Sequence, residues 1–142
     1  MIYQISVFLE NRAGQLAEIT KLLADNGVNL RAISIAETSD YGVLRMLADD
    51  AEVASKILLE SGCIIAKTPV SVVAVPDKPS GLSNVLSVIA EGEIDVEYMY
   101  SLFTHGAECA YMVFRVDDGS KFVEILKLNG IELASKEELG LK

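Results

Sequence analysis

Two hexapeptides of similar character stand out because they combine turn-forming residues with a small residue beside a helix start. They read NRAGQL at residues 11–16 and DKPSGL at residues 77–82. Each joins a β-branched, strand-like run to an amphipathic run of helical period. The first backbone N–H groups of a helix have no intrahelical partner, and the helix dipole favours negative charge there. Because Gly14 lets a small ligand approach the backbone, such a junction could bind a carboxylate without a basic side chain.

The first residue of each hexapeptide could bind a cation at the loop entrance. The side-chain carbonyl of Asn11 or the carboxylate of Asp77 could accept hydrogen bonds from an ammonium group. A carboxylate and an ammonium on neighbouring atoms are the groups of a free α-amino acid. A purely structural interpretation is also open, since glycine permits tight strand-to-helix turns and Asn or Asp often caps helices.

The elements that position these loops are predicted from hydrophobic periodicity. Apolar stripes of helical period end at four glycines, which suit left-handed helix caps: Gly27, Gly62, Gly92 and Gly130. Alternation of period two predicts strands at 3–9 and 94–102, and more continuous apolar runs predict central strands at 43–48 and 109–116. Acidic pairs at 49–50 and 117–118 suit helix N-caps, and a capping box from Ser135 to Glu138 predicts a last helical turn.

The same element order, β-α-β-β-α-β, occurs twice along the chain. The two hexapeptides are offset by 66 residues, whereas Asp49 and Gly62 match Asp117 and Gly130 with an offset of 68. An insertion of two residues around 104–107 explains the change. The sequence therefore predicts an α+β fold of two tandem ferredoxin-like βαββαβ units, each an antiparallel sheet with helices on one face, at residues 1–68 and 69–142.

Composition and charge argue against several functions. The chain has 142 residues, is 51% hydrophobic and has a net charge of −9, which predicts a globular protein that does not bind nucleic acid. No apolar run approaches the ~20 residues of a membrane span, and the N-terminus lacks a signal-peptide pattern, so we expect a cytoplasmic protein with no membrane partner. Cys63, Cys109 and the single histidine, His105, form no metal motif, and we find no nucleophile–base pair or P-loop. We therefore expect no metal, no cofactor and no enzymatic activity.

With these motifs the chain resembles the ACT domain family. That family has Asp/Asn-Arg-Pro-Gly-x-Leu after the first strand and Gly-Val/Ile-Asn/Asp-Val/Ile/Leu opening the second. NRAGQL…GVNL follows this pattern with Ala13 in place of the proline, and DKPSGL…EIDV follows it with Ser80 in place of the glycine. The resemblance covers the whole chain, as two tandem ACT domains without an attached catalytic domain.

The resemblance implies a regulatory protein that binds a free L-amino acid at the interface between ACT units, where the loop after the first strand of one unit meets either the start of the second strand or the equivalent loop of its neighbour. The implied ligand-binding residues are Asn11, Arg12, Ala13, Gly14, Gln15, Leu16, Asn29, Leu30 and Arg31, with Asp77, Lys78, Pro79, Ser80, Gly81, Leu82, Asp95 and Val96. Ser80 adds bulk, although Gly81 could compensate if the loop shifts by one residue. We therefore predict that the first loop is the better amide cradle and that the sites are unequal.

The resemblance also implies an enzyme of amino-acid metabolism as a partner in trans, and exposed sheet edges favour a homodimer. An alternative remains open: a free-standing interaction or assembly subunit that regulates such an enzyme without binding a ligand. The departures at Ala13 and Ser80 favour this alternative.

Overall fold

The fold, described by a computed structural model over residues 1–10, 12–37, 40–103 and 109–142, repeats the predicted element order. The strands are β1 (Ile2–Leu9), β2 (Leu30–Glu37), β3 (Gly42–Ala48), β4 (Ile65–Pro76), β5 (Val96–Ser101) and β6 (Cys109–Val116). The helices are α1 (Gln15–Asp25), α2 (Ala51–Glu60), α3 (Gly81–Glu91), α4 (Gly119–Leu128) and α5 (Lys136–Leu139). The prediction of two ferredoxin-like units is confirmed. His105 and the insertion at 104–107 lie outside the described residues.

The chain divides into two compact units, of which the first comprises Tyr3–Thr68 with Gly140–Lys142. Its strands take the order β2-β3-β1-β4, and β3 is antiparallel to both β1 and β2. The Phe8 N–H donates to the Ile64 carbonyl at 3.0 Å. Helices α1 and α2 pack on one face of this sheet and enclose an apolar core that includes Ile5, Val7, Ile19, Leu23, Leu44, Met46 and Leu58.

The second unit comprises Met1–Ile2 with Pro69–Leu139 and has the strand order β4-β6-β5. A short bridge from Val73 to Leu133 extends it beyond β4. The Ala74 N–H donates to the Glu132 carbonyl at 3.1 Å, which repeats the Phe8–Ile64 bond at offsets of 66 and 68. The core of this unit includes Val73, Val75, Val85, Ile89, Phe114, Phe122 and Leu126.

One aspartate of each acidic pair caps the second helix of its unit, as predicted. The side chains of Asp50 and Asp118 cap α2 and α4 by accepting the N–H groups of Val53 and Lys121 at 3.1 and 3.0 Å. Ser135 accepts the Glu138 N–H at 3.2 Å, so the predicted capping box begins the short helix α5. Within the described residues, no helix combines the length and apolar character of a membrane span.

Two local predictions are wrong. Gly92 has a φ of −79°, and the left-handed conformation falls instead on Glu93, at 55°. Glu93 lies 66 residues after Gly27, so the repeated backbone path, and not the residue type, decides which residue is left-handed. Val53 belongs to the apolar stripe that ends at Gly62 and is therefore expected in the core, but it is 42% exposed, because Ala54 and Leu58 form the buried stripe of α2.

Candidate functional site

The first loop presents bare main-chain donors at the start of α1. Gly14 is the N-cap residue, with a left-handed φ of 86°, and no side chain of the described residues caps the helix. The Gly14 carbonyl accepts the Glu18 N–H at 3.0 Å, so hydrogen bonding within the helix begins at Glu18. Among the described residues the N–H groups of the first turn therefore have no acceptor, as a carboxylate ligand would require. Asn11, the predicted ammonium ligand, lies outside the described residues.

Arg12 forms an ion pair with Glu18 of the same chain. Its Nη1 and Nη2 donate to the two carboxylate oxygens of Glu18, each at 3.0 Å. The hydrogen bonds and charge of Arg12 lower the pKa of Glu18, and Glu18 in turn raises the pKa of Arg12. These contacts therefore connect the loop to the first turn of α1. A ligand that binds Arg12 would compete with Glu18 for its guanidinium. The pair was not predicted from the sequence, because a spacing of six residues fits no rule for side-chain pairs on a helix.

The second loop repeats the backbone of the first. Lys78 N–H donates to the Pro76 carbonyl, as Arg12 N–H does to Glu10, at 3.0 and 2.8 Å. Ser80 takes the place of Gly14 with a left-handed φ of 70° and likewise leaves α3 without a side-chain cap in the described structure. The loop has therefore not shifted by one residue. Gly81 is buried, and a Cβ there would collide with the Pro76 carbonyl oxygen, so its small size serves the packing of strand against helix.

The two loops differ in the donors that they leave open. In the second loop, the Gly81 N–H donates to the Lys78 carbonyl at 3.0 Å. The first loop has no matching bond from Gln15 to Arg12 among the described residues. The Gln15 side-chain carbonyl is also buried there, and no residue of the described ranges donates a hydrogen bond to it. Leu16 packs against the core of its unit, whereas Leu82 is 39% exposed.

The predicted residues on the second strand of each unit do not lie near the loop of the same unit. Leu9 and Glu37 both pair with Gly42 at one end of the first sheet, whereas Leu30 pairs with Ala48 at the other end. Seven residues of strand at ~3.3 Å each place the two ends roughly 23 Å apart. In the second unit, Pro76 pairs with Cys109 and Val96 with Val116, which gives the same separation. Neither unit therefore brings all its nominated residues together.

At the far end, main-chain N–H groups of the nominated residues donate to aspartates that occupy the same position in both units. Asn29 N–H donates to the Asp49 carboxylate at 3.0 Å, and Asp95 N–H donates to the Asp117 carboxylate at 3.1 Å. These two main-chain donors are thus already used by the chain.

The C-terminal residues cover Arg31 in the first unit. The Lys142 N–H donates to the Asp49 carbonyl at 2.8 Å. Gly140 lies against the Arg31 guanidinium, since a Cβ built on it would be 3.5 Å from Nη2. The Arg31 Nε is buried and has no hydrogen-bond partner among the described residues. No sequence pattern indicated this contact, because it joins positions more than one hundred residues apart.

Comparisons with known proteins agree with the repeated architecture. A family model described as an ACT domain pair matches residues 1–141. The crystal structure of protein BT0572 from Bacteroides thetaiotaomicron is similar with a TM-score of 0.90 and 34% identity, covering 98% of this chain and 95% of that chain. A search of curated proteins finds no match.

Regulatory subunits of aspartate kinase are similar in fold. Those from Thermus thermophilus, in its ligand-free form, and Thermus flavus have TM-scores of 0.60 and 0.56 and 14% identity each. The alignments cover 89% of this chain and 91% and 90% of those chains, respectively. At this identity the likeness concerns the fold alone.

Proposed function

The chain belongs to the ACT domain family, as a pair of ACT domains, and on this premise we propose that it is a non-catalytic regulatory protein that binds a free L-amino acid. The two domains are residues 1–68 and 69–142. The ligand binds at the loops that precede α1 and α3, and the protein acts in the cytoplasm. An aspartate kinase subunit of similar fold supports an enzyme of amino-acid metabolism as the partner.

One observation carries this proposal: both helices begin at a left-handed residue without a side-chain cap in the described structure. A capping side chain would have used the donors that a ligand carboxylate needs. The ammonium group of the ligand would bind the side chain of Asn11 or Asp77. The residues proposed for the first site are Asn11, Arg12, Ala13, Gly14, Gln15 and Leu16, and those for the second are Asp77, Lys78, Pro79, Ser80, Gly81 and Leu82.

The first loop is proposed to bind more tightly. Gly14 carries no side chain over the amides, and the Gln15 carbonyl lacks a donor among the described residues, so a ligand can supply one. In the second loop, the Gly81 amide is already bonded and Ser80 adds a side chain. The other nominated residues lie at the end of the sheet opposite the loop of their own unit: Asn29, Leu30, Arg31, Asp95 and Val96. They would therefore contribute to a ligand site only together with a loop from another unit. A homodimer is the proposed assembly.

A thermal-shift screen of the twenty amino acids tests the proposal. A ligand of about ten heavy atoms at ~0.4–0.6 kcal/mol per atom binds with roughly 4–6 kcal/mol, a Kd from about millimolar to tens of micromolar. At about 10 mM such a ligand raises the melting temperature by mass action. We expect Gly14→Ser to weaken binding several-fold, whereas Ser80→Gly does not. The absence of a shift from every amino acid would contradict the proposal.

A second function is favoured by the Arg12–Glu18 pair, which closes part of the first loop. The chain would then be an assembly subunit that regulates an enzyme without a ligand. Binding to a purified enzyme of amino-acid metabolism, unchanged by Gly14→Ser and accompanied by a flat amino-acid screen, would select this function over amino-acid sensing.

A further inference from the structure

Two exposed aromatic rings lie in contact next to the NRAGQL loop. The ring centroids of Phe8 and Tyr41 are 6.3 Å apart, with an angle of 54° between the ring planes, and the two residues are 43% and 45% exposed. Ile64, whose carbonyl accepts the Phe8 N–H at 3.0 Å, is 70% exposed. These three residues form an exposed apolar surface of the first unit, called the ring patch below.

The register of the sheet places the ring patch at the loop end of this unit. Leu9 pairs with Gly42, so the next residues along the two strands, Glu10 and Tyr41, lie side by side. Since neighbouring strands are roughly 5 Å apart, Tyr41 lies beside the residue at which the loop begins.

The loop itself is short, so the ring patch and the start of α1 border the same few residues. Only Glu10–Gly14 separate β1 from α1, and the Arg12 N–H donates to the Glu10 carbonyl at 2.8 Å, which turns the chain back towards the helix. A ligand held by its carboxylate at the open amides of α1 therefore has the ring patch as the nearest exposed apolar surface of β1 and β3 at that end.

The charged side chains of the loop are paired with one another. Arg12 pairs with Glu18 at 3.0 Å and lies 4.0 Å from Glu10. Two carboxylates thus share one guanidinium, which leaves one negative charge in excess. These side chains are between 48% and 83% exposed, so water screens that charge and its effect on a ligand is small. Burial of apolar surface on the ring patch is the larger effect, and it favours an apolar ligand side chain.

The second unit has a different surface at the equivalent place. At the offsets of 66 and 68, the ring patch is replaced by a methyl group, a thiol and a carboxylate: Ala74, Cys109 and Glu132. The hydrogen bond with Cys109 raises the pKa of Tyr111, and the nearby carboxylates of Glu138 and Glu132 raise it further. The second unit therefore carries acidic groups where the first unit carries the ring patch.

We propose that the first loop selects L-amino acids with an aromatic or large aliphatic side chain, which packs on the ring patch while the carboxylate binds the amides at the start of α1. This inference rests on the function proposed above and names the ligand class of its first site. An aromatic ligand gains most, because its ring can pack against those of Phe8 and Tyr41. The second loop has no such preference.

NMR titration of the full chain with single amino acids tests the ligand class. L-Phenylalanine and L-leucine are expected to bind at least about tenfold more tightly than L-alanine, with saturable shifts at Phe8, Tyr41 and Gly14. If L-alanine, L-lysine or L-glutamate bound at these residues as tightly as L-phenylalanine, the ligand class would be wrong, although the amino-acid function would stand. No binding by any of the twenty amino acids would overturn both.

Variants of the ring patch test the location. Phe8→Ala combined with Tyr41→Ala should raise the Kd of L-phenylalanine at least about tenfold and change that of L-alanine less than about twofold. The ratio of the two constants separates selectivity from a general loss of stability. Tyr41→Phe keeps both rings and should keep the ratio.

The matched control is Val53→Ala, at an apolar residue of α2 that is 42% exposed and follows β3 at the opposite end of the sheet. It should leave both dissociation constants unchanged. An unchanged ratio in the double variant, or a changed ratio in Val53→Ala, would contradict the proposal.

Discussion

At the scale of single residues, the two loops show that a backbone conformation can persist when the residue that favours it is replaced. Gly14 and Ser80 are both left-handed, although only glycine adopts that region without strain. The neighbouring Gly81 is confined by the Pro76 carbonyl, so the loop cannot move the left-handed position onto it. Ser80 therefore carries the strain of the second loop.

Exchanging the two residues should give opposite effects on stability. Gly14→Ser is expected to lower the free energy of unfolding by about 1–2 kcal/mol, because a Cβ becomes left-handed. Ser80→Gly is expected to raise it by less than ~1 kcal/mol, since relief of strain is partly offset by the greater entropy of glycine in the unfolded chain. Urea denaturation of both variants measures the difference. A destabilising Ser80→Gly would show that Ser80 is not strained.

The Arg12–Glu18 pair predicts a pH dependence at the first loop. The pKa of Glu18 is lowered in the folded protein, so the pair stabilises the fold above the unfolded pKa of a glutamate, and this stabilisation is lost as the pH falls through the lowered pKa. An NMR titration of the Glu18 carboxyl measures the shift. Arg12→Gln removes both the charge and the paired hydrogen bonds, so it should raise the pKa of Glu18. Arg12→Lys keeps the charge and loses only the paired hydrogen bonds, so it should raise that pKa less. An unchanged pKa in Arg12→Gln would refute the assignment.

At the scale of elements, most helices and strands could be predicted because their signals are local. Apolar period, acidic caps and turn glycines act within a few residues and survive in both copies of the repeat. The error at Val53 arose because the packing of α2 on its sheet decides which side of the helix is buried, and the error at Gly92 arose because the repeated backbone path decides which residue is left-handed. Gly92 lies one residue before the left-handed position, so the residue types did not indicate that Glu93 adopts it.

The N-cap aspartates should contribute equally in the two units. Asp50→Ala and Asp118→Ala are each expected to lower the free energy of unfolding by about 1 kcal/mol, because the first turns of α2 and α4 lose a hydrogen-bond acceptor. Asp50→Ser and Asp118→Ser, which keep an acceptor, serve as controls in the same denaturation experiment. Alanine and serine variants of equal stability would contradict the capping role.

At the scale of the whole molecule, each unit has its own apolar core, and the repeat offers a matched pair of positions to test it. Leu58 and Leu126 correspond at an offset of 68, and both are fully buried. Truncation of either to alanine should cost about 2–5 kcal/mol through lost burial and the cavity left behind. Leu59→Ala and Leu128→Ala, at exposed positions of the same helices, should change stability by less than ~0.5 kcal/mol. Thermal unfolding measures all four, and a large effect at the exposed positions would be inconsistent with these cores.

The repeat, the α+β class and the two strand-to-helix loops could be predicted from the amino-acid sequence, because each depends on periodicity and on residues close together in the chain. The surroundings of those loops, in contrast, are known from the three-dimensional structure. It pairs Arg12 with Glu18, places Arg31 beneath Gly140, and sets the nominated strand residues at the far end of each sheet. These features depend on contacts between distant residues, and no local pattern of residue types encodes such contacts.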